Sequence, residues 1–454
     1  MTYYLDPYGC VKNQVDAENM MAILDETGWA AVEKAENADL IIVNSCGFIE
    51  SAKKESINAV LGWRKLYPEK KILLTGCLAQ RYAKELSVSL PEVDGFFGTD
   101  NPGGIAEAVA KIIGKADDFG VAKVAGKTAA DAPRTEIRPG RRPLLSMPGS
   151  AYVKISEGCD NLCSFCAIPL IRGRLSSRSA NDIIEECKTL LSRGIKELCL
   201  IGQDTGSYGL DFTNHSSTGL PGLMESLSKL QGDFWVRILY IHPDHFPLPI
   251  LDIMERDKRF LPYFDIPFQH ASEKLLKAMN RRGNAESYLS LIQTLRRRLE
   301  DAVVRTTFMT GFPGETEEDF ALLLDFQKKA KLDWAGSFAY SREENTPAYR
   351  MKGRVAKKIA VGRKRIIEEA QVTITEKQMD RFIGRNFNVL VEERFEPLNP
   401  SADEASLYLG RLPCQAPEVD GSTVILTSRS LVKGTIIPCR ITARAGIDLE
   451  AQTL

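Results

Sequence analysis

Histidine is scarce in this 454-residue chain, with 4 in all, and net charge is nearly absent, since 59 Lys and Arg stand against 60 Asp and Glu for a formal charge of −1. A polyanion binder normally carries a broad basic footprint, so any nucleic-acid contact would have to be local. Zinc sites that mix Cys and His are poorly supplied by so few imidazoles. Long apolar runs are missing too, and without about 20 consecutive apolar residues no segment is expected to cross a bilayer. The opening Met1-Thr2-Tyr3-Tyr4-Leu5-Asp6 has no basic stretch ahead of an apolar one. A cytoplasmic address, with no membrane partner, is therefore expected.

Cysteine, in contrast, is plentiful, with 10 residues. In a reducing compartment structural disulfides are disfavoured, so thiolate metal chemistry moves forward. A hydrophobic content of 44% with 26% charge is ordinary for a folded chain, and this length exceeds what one core usually holds. The expected frame has three folded parts. Residues 1–113 read as a small α/β domain on a parallel sheet, with buried strands at Leu40-Ile41-Ile42-Val43 and Ile72-Leu73-Leu74 and a crossover helix marked by Ile57, Val60 and Leu61. Residues 114–148 are rich in Gly, Ala, Pro and charge and read as a linker. From 149 to 382, strands at Tyr152–Ile155, Glu197–Ile201, Val236–Tyr240 and Val303–Thr307 alternate with helical stretches such as Ile183–Leu191, which implies a barrel or an open parallel sheet. Residues 383–454 hold short strands at Val389–Val391, Leu407–Leu409, Val424–Leu426 and Ile436–Ile437, as in a small OB-like all-β barrel.

Cys159, Cys163 and Cys166 form a C-x3-C-x2-C cluster just after the strand at Tyr152. Three thiolates on one loop can converge on one centre, and thiolates are the usual ligands of iron-sulfur clusters. Three of them leave one iron of a 4Fe-4S cube open for substrate. A structural zinc loop is the rival, though such sites normally show four ligands in paired motifs. Cys10, Cys46 and Cys77 each lie just past the end of a successive strand. In a parallel sheet those ends share one edge, where ligands bind and helix N-termini point, so distant cysteines can meet at one anionic centre. Cys187, Cys199, Cys414 and Cys439 have no such setting and read as packing residues.

The cluster loop, with Phe165 before its last Cys, resembles the signature of the radical S-adenosylmethionine superfamily. That resemblance implies a partial (βα)6, TIM-like barrel with its site at the carboxyl ends of the strands. With the three N-terminal cysteines and the terminal TRAM-type barrel, the likeness extends over nearly the whole chain to the methylthiotransferases. It implies two 4Fe-4S clusters, S-adenosylmethionine as cosubstrate, and insertion of sulfur plus methyl into an unactivated C–H bond through a 5′-deoxyadenosyl radical. Gly9–Asp16, Asn44–Ala52, Gln203-Asp204-Thr205 and Asp265–Ser272 are similar to the branch that modifies the β-carbon of an aspartate in small-subunit ribosomal protein twelve. An external electron donor and a sulfur source are implied as well. The tRNA branch has a Gln-Ser-Gly type sequence where this chain has Gln269-His270-Ala271. Val11 and Asp160 stand where Pro and Asn are usual, and all six cysteines are in place.

The same resemblance makes Phe165, Gln203, Asp204, Thr205, Gly311, Gly314 and Glu315 candidates for holding the cosubstrate. On the residues alone, Gly311–Thr316 is equally a tight turn opening a helix, and Gln203–Thr205 equally a helix cap. His270 stands as a substrate-side candidate or a loop-ordering residue. Arg172-Gly173-Arg174 and Arg178 offer bidentate carboxylate contacts or simply a solvated basic turn. From Arg385 onward seven bases meet nine acids, which suits a basic protein partner better than RNA, since phosphate grip requires positive charge. Transfer to tRNA adenosine and a non-catalytic, zinc-stabilised RNA-binding role remain the alternatives.

Overall fold

The computed structural model describes residues 1–114, 142–213, 219–395 and 406–454. Most of the linker expected at 114–148 thus lies outside the described residues. The chain packs as two compact units. One comprises Met1–Leu145, Ser156–Ser176 and Ser341–Tyr349, and the other Ser146–Ile155, Ser177–Tyr340 and Arg350–Leu454.

The first unit is built on a five-stranded parallel sheet in the order Ala30–Ala31, Thr2–Pro7, Leu40–Ser45, Lys71–Gly76, Gly95–Phe97. Every residue of Leu40–Ser45 is buried, as expected of a strand covered on both faces. Val60 of the helix Glu50–Leu66 reaches the core, whereas Leu61 is exposed, contrary to the face read from the sequence. At the far end of the linker, Arg142 is wholly buried and paired with Glu18 at 2.8 Å. A charge read as connector solvation is instead pinned beneath the domain.

In the second unit six parallel strands follow one another in chain order: Ser150–Lys154, Glu197–Ile201, Trp235–Ile238, Phe260–Asp265, Val303–Thr310 and Trp334–Ala339. When each strand pairs with the next, right-handed crossovers keep the helices on one face and the sheet curls, giving the partial barrel. The last strands, Asn386–Phe395, Ser406–Arg411, Thr423–Thr427, Ile436–Ala445 and Asp448–Thr453, close into a barrel. Its pairing, antiparallel except between Thr423–Thr427 and Asp448–Thr453, is OB-like. The fifth strand was missed in the sequence because Asp448-Leu449-Glu450-Ala451 buries only a Leu and an Ala.

This closed barrel seals the amino ends of the parallel strands. Glu197, with no exposure, accepts from Ser150 Oγ at 2.7 Å, Arg237 Nε at 2.8 Å and Arg411 Nη2 at 2.5 Å. Asp420 accepts from the Tyr263 hydroxyl at 2.5 Å and Arg305 at 2.6 Å, and Trp334 donates to the Cys414 carbonyl at 2.8 Å. The carboxyl ends of the strands are thereby left as the open edge. Among the described residues no helix is long and apolar enough to cross a membrane.

Candidate functional site

Three turns at one edge of the N-terminal sheet carry Cys10, Cys46 and Cys77. Cys10 caps the helix Val11–Glu26, Cys46 follows the strand ending at Ser45, and Cys77 is the first residue of the helix Cys77–Ser89. All three are free thiols, exposed, half-buried and buried in that order. Helix N-termini favour negative charge, so thiolates are well placed there. Without such compensation burial pushes the Cys46 thiol up to about 11, with Cys77 and Cys10 adding repulsion. Burial raises Cys77 as well, against the pull of Arg172. Cys46 thus feels both Cys77 and Cys10, and Cys77 feels Cys10.

Asn13 ties the three turns together. Its Nδ2 donates to the Ser45 carbonyl at 2.8 Å, beside Cys46, and its Oδ1 accepts from Cys77 Sγ at 3.2 Å. The Asn44 amide donates in turn to the Asn13 carbonyl at 2.8 Å. A Cβ on Gly47 would stand 2.6 Å from the Cys77 carbonyl oxygen. Only glycine lets these two backbones approach so closely.

Cys159, Cys163 and Cys166, half-buried, belong to the same compact unit as this triad. Cys77 packs against Ala167 and Ile171, the first of which directly follows Cys166. The helix Cys77–Ser89 lies against the short helix Ile168–Arg172. Phe165 is half-buried in this loop. Gly158 takes φ +74 and a Cβ there would overlap the Arg174 carbonyl, so the loop closes on itself around glycine. Asp160, where Asn is usual, accepts from exposed Arg174 at 3.1 Å and from the Leu175 amide. Arg172 is not the solvated base of a turn: it is buried and bonded to Asp16, Glu157, Asn13 and Cys77. Arg178, in the other unit, pairs with Glu186 at 2.6 Å.

Each set offers three thiols, the donor type that iron-sulfur clusters take. Among the described residues no three Cys, His, Asp or Glu side chains converge as single-ion ligands. A cube sets each cysteine on a separate iron, so its thiols stand apart.

At the open edge of the second unit, Gln203 is half-buried while Asp204 and Thr205 are buried. The Asp204 carboxylate caps Gly206 at 3.0 Å and accepts from Ser207 Oγ and the His242 amide. The Thr205 hydroxyl donates to the Leu239 carbonyl at 2.9 Å. These two residues knit adjacent strand ends. Gly311, at φ +74, would drive a Cβ to 2.2 Å from that of Ala360, and Gly314 at φ +87 donates its amide to the Gly353 carbonyl. Glu315 turns inward to Arg363 at 3.0 Å, to the Gly311 amide and to His270 Nε2 at 3.5 Å. His270 accepts from the Ser272 amide at 3.0 Å, which orders its own loop. Tyr240 and Gln269 hold φ of +64 and +68 at this edge. Non-glycine residues pay about 1 to 3 kcal/mol for such backbone, which concentrates at functional edges.

Three family models match: "Uncharacterized protein family UPF0004" over residues 2–98, the radical SAM superfamily over 153–326 and the TRAM domain over 383–454. A ribosomal protein uS12 methylthiotransferase RimO of Treponema denticola is 48% identical, over 98% of this chain and 99% of its own. The Syntrophomonas wolfei protein of the same name is 40% identical over 97% of each. The chain belongs to the RimO family. Among solved structures, the radical S-adenosylmethionine methyltransferase TsrM from Kitasatospora setae matches with a TM-score of 0.54 at 14% identity, over 76% of either chain. That likeness is one of fold.

In this RimO-family chain one side chain at the cysteines, Asn13, was not read as a site residue from the sequence. Asn13 lies within the Gly9–Asp16 stretch, and its spacing of three from Cys10 was the available signal. Arg172, six residues after Cys166, was read as offering carboxylate contacts and does meet Asp16 and Glu157, but its bond to Cys77 had no local signal.

Proposed function

We propose that this chain is a radical S-adenosylmethionine methylthiotransferase that adds a methylthio group to the β-carbon of an aspartate in small-subunit ribosomal protein uS12. The reading is supported by family membership over the whole length, and above all by Cys77 packing on the residue that follows Cys166. Sulfur donation and hydrogen removal must happen at one carbon, so their two centres have to be neighbours.

Cys159, Cys163 and Cys166 would hold one 4Fe-4S cluster and Cys10, Cys46 and Cys77 a second. When bound, the pair supplies an electron for cleaving S-adenosylmethionine and the sulfur to be transferred. An aspartate β-carbon is too weakly acidic for side-chain bases, so proton abstraction is no substitute. The protein's part is to hold and to exclude. Asn13 sets the three N-terminal cysteines against one another, while in the second unit Asp204, Thr205 and Glu315 fix the open strand ends, where Gln203, Gly311 and Gly314 are the further cosubstrate candidates; in the first unit Phe165 is a cosubstrate candidate by its place in the cluster loop. The electron donor and the sulfur source are external, and the work is done in the cytoplasm, with neither membrane nor tRNA as partner.

Anaerobically reconstituted protein, incubated with uS12 or small subunits, S-adenosylmethionine, sulfide and reductant, should yield a methylthiolated aspartate by peptide mass analysis. Cys159→Ala should abolish both 5′-deoxyadenosine and product, whereas Cys46→Ala should keep 5′-deoxyadenosine and lose sulfur transfer. Equal loss of both activities in the two variants counts against the division of labour. Methylthio groups on tRNA adenosine with uS12 unmodified would overturn the substrate.

A further inference from the structure

Arg172 has 4% of its surface exposed and closes the short helix after Cys166. Its Nη1 donates to Asp16 Oδ2 at 2.8 Å and Glu157 Oε2 at 3.0 Å, and its Nη2 to Asn13 Oδ1 at 2.5 Å and Cys77 Sγ at 3.2 Å. Burying a guanidinium carries a desolvation penalty that a well-packed apolar residue would avoid altogether. Two carboxylates already neutralise the charge. The bond to sulfur is extra, and nothing about packing asks for it.

We infer that Arg172 is a positioning residue for the centre held by Cys77: it fixes that sulfur relative to the loop of Cys159, Cys163 and Cys166 and raises the reduction potential there. Hydrogen bonds to cysteine sulfur and nearby positive charge both favour the reduced, more negative state of a thiolate-bound cluster. The planar fork matters as much as the charge. One ammonium on a flexible stem cannot span two carboxylates, an amide oxygen and a sulfur in this arrangement. The inference rests on the proposed second cluster.

The test uses the full-length chain with Cys159, Cys163 and Cys166 replaced by Ala, so that iron bound after anaerobic reconstitution reports on the other three cysteines. Iron and sulfide per chain are measured, and the midpoint potential follows from a redox titration monitored by electron paramagnetic resonance. With Arg172 present, one cube is expected; iron far below that would overturn the proposed second cluster itself. With the cube present, the midpoint should shift to more negative values in Arg172→Lys and further in Arg172→Met. Potentials in both variants equal to that with Arg172 would overturn the inference while leaving the second cluster standing. Should Arg172→Met fail to fold, Arg172→Lys decides alone, since it keeps the charge and loses the fork.

Discussion

His242, just beyond the strand Trp235–Ile238, has Nδ1 accepting from the Asp244 amide at 3.2 Å, which assigns it the neutral tautomer with the proton on Nε2. Burial, with Arg281 and His245 adding repulsion, holds its pKa down at about 2. An unfolded His takes a proton near 6.5, so between those values the unfolded chain binds a proton that the folded chain refuses. A depressed folded pKa means stability that is complete above the unfolded value and drains away as pH falls. From pH 7.5 to 5.5 the loss from this one group is about 1.4 kcal/mol. Urea unfolding at the two pH values should show that loss in the wild-type chain and less of it in His242→Gln; identical losses would remove His242 from the account. Burial raises the Glu392 and Asp420 carboxyls towards this window, but they are present in both chains, so the difference between wild type and His242→Gln isolates the imidazole. At this scale the sequence was readable where chemistry needs a rare residue, as with the cysteines. It was not readable for Asn13, nor for the Arg172 contact with Cys77, since these residues meet partners up to 159 positions away.

Elements were the most legible scale, because β-branched runs such as Leu40–Val43 and Ile72–Leu74 leave little choice but buried strands. The misses have physical causes. Asp448–Thr453 is polar on one face and carries few apolar residues, and Tyr240 leaves its strand two residues after Ile238 for the left-handed region. The turns between elements hold the sharper test. Gly47→Ala would set a methyl 2.6 Å from the Cys77 carbonyl and 2.8 Å from the Leu78 amide, both backbone atoms that cannot swing aside. Cys46 and Cys77 should separate, so that reconstituted Gly47→Ala holds one cluster's iron where wild type holds two, while 5′-deoxyadenosine formation persists. Gly62→Ala serves as the control, since that helical glycine meets nothing within 4 Å. It should keep both clusters and gain about 0.5 to 1 kcal/mol in stability. Full iron in Gly47→Ala would show that the two turns do not need their close approach.

On the scale of a whole unit, a single sequence says almost nothing. The cluster loop follows a barrel strand yet packs into the unit of the N-terminal sheet, and Glu197 meets Arg411 across 214 positions. Neither has a local pattern. The Glu197 seal can nonetheless be tested as a charge balance. Burial alone would raise its pKa, yet Arg411, Arg237 and the Ser150 hydroxyl override this and hold the carboxyl at about 2. Arg237 also lies 4.6 Å from the Tyr263 ring centroid and is wholly buried. Glu197→Gln keeps shape and one acceptor but leaves two buried guanidinium groups facing each other. The expected cost is about 3 to 5 kcal/mol, seen as a lower melting temperature by circular dichroism. Adding Arg411→Leu should give back part of that loss, because it removes one of the stranded charges together with its demand for solvation. Glu392 accepts from Arg411 at 2.6 Å, and burial already biases it towards protonation, so it can go neutral when that partner leaves. Simple addition of the two single-variant losses in Glu197→Gln/Arg411→Leu would mean that the layer is held by packing, with its charges incidental.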